Sequence, residues 1–207
     1  AVPLLEEALS LEIARLGADR PELTSPRRVL AGVYGGLGRL DEADEQLQLA
    51  MTALEGQREA ADQDELAAVL HVVTVVRSLQ GRLEEAEAAG RRALELRTRR
   101  LGPEHHDTGL TMGVLGLVVL DRGRYAEAEA LLARALTIQQ RSYPPDHPQV
   151  SQCLVNLATA RKELGRLEEA ESLYRRAPGH LPGRPGPAPP PPPPAGPPPP
   201  RGRSPPG

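Results

Sequence analysis

The 207 residues contain no phenylalanine, no tryptophan and a single cysteine, Cys153. Without Phe or Trp the chain has little to stack on bases, and its formal net charge is only −3. That combination argues against nucleic acid as the main partner. One thiol excludes an internal disulfide framework and suits a reducing compartment. Unbroken apolar runs are short, broken by Gly, Thr or His, and none approaches the ~18 residues needed to span a bilayer. The start lacks the charged, apolar and small-residue pattern of a secretory leader. The expectation is a soluble chain with no membrane insertion, located in the cytoplasm, with cytoskeletal or ciliary association open to it.

What is present is a repeat. Gly-Arg-Leu-Glu-Glu-Ala-Glu stands at 81–87 and again, identically, at 165–171. Near copies are Gly-Arg-Tyr-Ala-Glu-Ala-Glu at 123–129 and Gly-Arg-Leu-Asp-Glu-Ala-Asp at 38–44. The leading glycines, Gly38, Gly81, Gly123 and Gly165, keep a period of 42 residues with one step of 43. Self-similarity at such a period is the mark of a stacked array.

Each part of the motif has a physical reason. The Gly follows an apolar-periodic segment and can take the left-handed conformation that ends a helix. The acids fall where the next helix begins and complement its positive end. Ala43, Ala86, Ala128 and Ala170 are small enough for two helices to cross closely, and Ala50, Ala93, Ala135 and Ala177 follow seven residues later. Each unit is thus a helix, a tight turn and an antiparallel helix. One hairpin cannot bury its apolar stripe alone, but stacked hairpins can.

Leu157-Ala158, Gly165, Ala170, Tyr174 and Ala177 together resemble the tetratricopeptide repeat, whose usual period is about 34 residues. A period near 42, with Leu-Gly-Pro-Glu-His at 101–105 and Asp146-His147-Pro148 between units, resembles the kinesin light chain and nephrocystin-3 type. The resemblance covers residues 1 to about 177. It implies an all-α, right-handed α-solenoid of stacked antiparallel helix pairs that holds peptides or partner domains, with no catalysis and no cofactor.

The register divides the chain into a half repeat at 1–19, repeats at about 20–62, 63–104 and 105–147, a truncated repeat at 148–177, and a tail at 178–207. Subtracting the period places 1–16 as the second helix of a unit whose first helix is missing, and the first residue is not Met. The expectation is a fragment of a longer chain. Helices are expected near 3–16, 23–37, 41–59, 64–80, 84–100, 106–122, 126–142, 148–164 and 168–177. The segment Gln57–Asp62 lacks the linker sequence of the other units, which suggests a long second helix there. Gly90 stands where other units have Leu47, Leu132 and Tyr174, and a mid-helix Gly costs roughly 1 kcal/mol against Ala. It marks the expected soft spot. Both ends of the array should expose apolar faces, because terminal repeats need polar outer surfaces. Self-association through these uncapped ends is expected.

From Pro178 onward the material changes. Sixteen of the last thirty residues are proline, with three Arg and no acid. Such a composition cannot bury a core and should be disordered with polyproline II character. Arg184, Pro187 and Pro190 fit Arg-x-x-Pro-x-x-Pro, one way SH3 domains read such segments. A passive tail, or a terminus from splicing or a wrong gene model, is the alternative.

Function should reside on the concave surface, lined in arrays of this kind by the first helix of each unit. Related arrays often carry an Asn just before the Leu-Ala pair of that helix. By register this position is Val29, Val72, Val114 and Asn156, and a neighbouring one is Ser25, Ala68, Leu110 and Gln152. The candidate groove is therefore Ala68, Val72, Leu110, Val114, Gln152 and Asn156. It would take a hydrophobic peptide or helix in its middle units and a main-chain amide at Asn156. The alternative is that the valines only pack between neighbouring helices. His105-His106-Asp107 aligns with the linker at His147 and is expected to sit near a helix start, not on a metal. The run Arg91, Arg92, Arg97, Arg99 and Arg100 is expected to be a solvated face balanced by nearby glutamates. No nucleophile has a His/Asp arrangement around it. Two functions remain. One is a non-catalytic interaction scaffold or adaptor; the other is a regulatory repeat domain cut from a larger NTPase or other multidomain protein.

Overall fold

The computed structural model describes residues 2–18, 20–54 and 60–177. These form α1 (Val2–Leu16), a single 3-10 turn at Pro21–Leu23, α2 (Thr24–Gly36), α3 (Leu40–Leu54), α4 (Ala60–Leu79) and α5 (Leu83–Leu101). They continue as α6 (His106–Asp121), α7 (Tyr125–Ser142), α8 (Pro148–Glu163) and α9 (Leu167–Arg176). Among the described residues there is no strand, as the 42-residue register requires. The fold is an all-α solenoid of antiparallel helix pairs. No described helix is long and apolar enough to cross a membrane.

The helix ends follow the repeat closely. α4 starts at Ala60, four residues before the expected 64, and residues 55–59, where a long α3 was expected, lie outside the described residues. The tail candidates Arg184, Pro187 and Pro190 lie outside them as well.

The Gly-Arg turn is the same in all four motifs. Gly38, Gly81, Gly123 and Gly165 have φ between 75° and 77°, a conformation that costs any residue with a Cβ. The following Arg donates its backbone N–H to the carbonyl five residues back: Arg39 to Tyr34, Arg82 to Arg77, Arg124 to Val119 and Arg166 to Arg161. This satisfies a carbonyl orphaned at the helix end. The same Arg then accepts, through its own carbonyl, the first bond of the next helix from Ala43, Ala86, Ala128 or Ala170. All eight register alanines are buried, so the helices cross on small side chains.

The arginine side chain has a second task. Arg82 reaches back to Asp44, Arg124 to Glu87 and Arg166 to Glu129, in each case the last acid of the preceding motif. Arg39 reaches Glu6 of α1 at 3.5 Å, outside the motif register. The motif therefore ties each hairpin to the one before it. Glu87 is the most heavily used of these acids and accepts from Arg91 at 2.7 Å, Arg122 at 2.5 Å and Arg124.

Glycine inside α6 sets a close approach to α7. A Cβ on Gly109 would lie 2.7 Å from Ile138 Cγ2, and one on Gly116 would lie 2.8 Å from Leu132. Gly90 is buried, and Thr74 and Leu115 fill the space its missing side chain leaves, with a Cβ meeting each at 3.1 Å. The neighbours have thus closed the gap that the sequence pattern opened.

The two ends differ. Leu4 and Leu11 on α1 are 71% and 66% exposed, as expected for an uncapped face. At the other end the outer face of α9 is polar: Glu168, Glu169, Glu171, Arg175 and Arg176 are exposed, and Leu167 is its one large exposed apolar residue. The expectation of an apolar face there is corrected. The apolar residues of α9, Ala170 and Leu173, are spent on α8 and the core of the last repeats.

Candidate partner-binding groove

Successive first helices touch one another: α2 meets α4, α4 meets α6 and α6 meets α8. Among the described residues, no two of α3, α5, α7 and α9 are in contact. The row of first helices is thus the inner, shorter side of the curve. The concave surface is built from α2, α4, α6 and α8.

Between α6 and α8 this surface deepens into a pocket of about 260 Å³. Leu110, Val114 and Leu117 of α6 form an apolar wall. Gln149, Gln152, Cys153 and Asn156 of α8 form the opposite wall, with His71 of α4 and Gln139 of α7 completing it. Four of the six expected residues, Leu110, Val114, Gln152 and Asn156, therefore share one site. Ala68 and Val72 do not line it. Val72 is partly buried against the core of the first repeats, while Val29 is 43% exposed on α2. The valines at this register do not behave alike: Val72 leans into packing and Val114 faces the pocket.

The polar groups are held in set orientations. Gln152 Nε2 donates to Asn156 Oδ1 at 2.8 Å, one helical turn apart on α8. Gln139 is fully buried, donates its Nε2 to the His106 carbonyl at 3.4 Å, and leaves its Oε1 buried without a partner among the described residues. The room for this amide comes from Gly109, whose Cβ would lie 3.2 Å from Gln139 Nε2. His71 Nδ1 is also buried without a partner among the described residues. Burial, followed by the nearby Arg97, pushes the His71 imidazole down to about 4, so it is neutral at pH 7. Burial likewise pushes the Cys153 thiol up to about 11, which leaves it an unreactive wall residue. The pocket lining carries no formal charge near neutral pH.

The linker histidines have a local role. His105 Nδ1 accepts the backbone N–H of Asp107 and His147 Nδ1 that of Gln149, each at 3.2 Å, so they cap α6 and α8. Three arginines of the run are paired: Arg91 with Glu87 and Glu127, Arg99 with Glu95 and Arg100 with Asp64. Arg97 is different, donating to the Asp107 carbonyl at 2.8 Å and to Thr111 Oγ1 at 2.6 Å.

His71, Gln139 and Gln149 were absent from the expected set. Gln139 had a legible signal. It falls sixteen residues after the motif glycine, where the other complete units have Leu54 and Arg97. A polar residue at a register position occupied elsewhere by a core Leu points to a buried group with work to do.

The tetratricopeptide repeat family profile matches residues 65–138 and 113–177. No curated protein sequence matches the chain. Among solved structures it is similar to BtubC (BKLC) from P. vanneervenii, with 25% identity and a TM-score of 0.71 over 84% of this chain and 69% of that one. It is also similar to a putative kinesin light chain of Podosopora anserina with nearly identical TPR-like repeats. Two structures of that protein, one of them a single-residue variant, show 23% identity and TM-scores of 0.68 and 0.66. They align with 85% of this chain and with 82% and 83% of theirs. The profile match extends over more than half of the 207 residues and takes in the motifs at 81–87, 123–129 and 165–171: this chain belongs to the tetratricopeptide-repeat family.

Proposed function

We propose that the chain is a non-catalytic, cytoplasmic interaction scaffold of the kinesin light chain adaptor type, and that it holds an extended peptide or partner segment in its concave groove. The observation that carries this is the pocket between α6 and α8. It combines an apolar wall of Leu110, Val114 and Leu117 with the oriented amides of Gln152 and Asn156. An apolar wall supplies affinity through buried area, and a few fixed polar groups supply register. Tetratricopeptide repeats in general mediate protein–protein contacts, which supports the same role.

The test is a panning experiment in which the whole chain is used to select peptides from a displayed random dodecapeptide library. Peptides should be enriched, and the Val114→Asn variant should bind them about tenfold more weakly, because a buried Val contributes about 1.5 kcal/mol or more. Retained helix content would show that the fold survives the change. Unchanged binding by the Val114→Asn variant would defeat the proposal.

A further inference from the structure

Two amides line the pocket, and each has one end committed to a neighbour. Gln139 has its Nε2 committed to the His106 carbonyl, so its buried, unpartnered Oε1 is the end left for an occupant. Asn156 has its Oδ1 committed to Gln152 Nε2, so its amide N–H groups are the end left over. One site thus offers an acceptor and a donor, both held by neighbours. Val114 and Leu110 supply apolar contact beside them. Among the described residues, no charged side chain lines the cavity to match an ammonium, guanidinium or carboxylate. A volume of about 260 Å³ suits one side chain, being below the roughly 300–1,000 Å³ of sites for larger ligands.

We infer that this pocket reads a primary carboxamide side chain, Gln or Asn, in the bound peptide. The carboxamide N–H donates to Gln139 Oε1 and its carbonyl oxygen accepts from the Asn156 N–H. A carboxamide is the uncharged side chain that carries both functions on one planar group. Leaving Gln139 Oε1 buried and unmatched is costly, so occupants without a donor are discriminated against. This inference rests on the groove reading above and specifies what the groove selects.

The panning experiment on the whole chain tests it separately. The enriched peptides should share a Gln or Asn flanked by aliphatic residues. Replacing that residue by Glu or Leu in the resynthesised peptide should weaken binding about tenfold or more. The protein variant Gln139→Leu should bind the Gln and Leu peptides equally. Gln152→Leu, at an exposed position, should narrow the same difference by releasing Asn156, and serves if Gln139→Leu does not fold. A consensus built on a basic, acidic, aromatic or purely aliphatic anchor would overturn the carboxamide pocket and leave the groove standing. So would a Gln whose replacement costs nothing, since the contact would then be to main chain alone. Failure to enrich any peptide, or peptides indifferent to Val114→Asn, would defeat the groove and the inference with it.

Discussion

The Arg82 guanidinium lies 2.9 Å from the Asp44 carboxylate, joining the second residue of one motif to the last acid of the motif before it. The same link recurs between Arg166 and Glu129 at 2.8 Å. Its most buried version is at Glu87, which gathers Arg91, Arg122 and Arg124. Glu87→Gln should therefore destabilise the array by about 2 kcal/mol, because charge-assisted bonds are lost in a partly desolvated setting. Glu95→Gln, on a pair whose members are both largely exposed, should leave stability unchanged. Urea unfolding of both variants checks the contrast.

A second expectation concerns acid. An unfolded chain protonates His71 near 6.5, whereas burial delays this in the folded chain to about 4. Folding excludes a proton between these values, so stability is complete above about pH 6.5 and falls as pH drops toward 4. The full loss is on the order of 3 kcal/mol. Thermal melts at a series of pH values should show this slope, and the His71→Gln variant should flatten it over the same interval.

Two glycines on one helix should respond with opposite signs. Gly109→Ala gains about 1 kcal/mol of helix propensity but drives a methyl to 2.7 Å from Ile138 Cγ2. Overpacking of that kind costs about 1–3 kcal/mol, so the variant should lose stability. Gly113→Ala places its methyl 3.8 Å from Ala135, an ordinary contact, and should gain up to about 1 kcal/mol. Denaturant midpoints of the two variants decide this.

The motif turn gives a further test. Gly81→Ala forces a Cβ into φ +75° and should cost roughly 1–2 kcal/mol. Open space surrounds that position, so the loss would come from backbone conformation alone. Gly81→Asn should cost less, because Asn tolerates this conformation better. Equal losses for Ala and Asn would point to another cause.

The helices, their pairing and the turns were legible because one spacing rule repeats four times and each copy confirms the others. Leu110, Val114, Gln152 and Asn156 were legible as groove residues because register carries position along the first helix. Register does not carry depth. Val72 and Val114 hold equivalent places, yet Val72 is drawn against the first core and Val114 is left at the pocket. Gln139 carried a register signal, a polar residue where another unit has the core Leu54, but its place in the concave pocket was not legible because it sits on a second helix. The reach of each motif arginine to the preceding acid was also hidden, since that distance depends on how hairpins stack.

Methyl-labelled NMR of the whole chain, titrated with a dodecapeptide selected against it, bears most directly on the concave groove as the binding surface. The methyl signals of Leu110, Val114 and Leu117 should shift with peptide, while those of Leu49 on α3 and Leu101 on α5, exposed on second helices, should stay in place. Shifts confined to Leu49 and Leu101, with the α6 methyls unmoved, would contradict it.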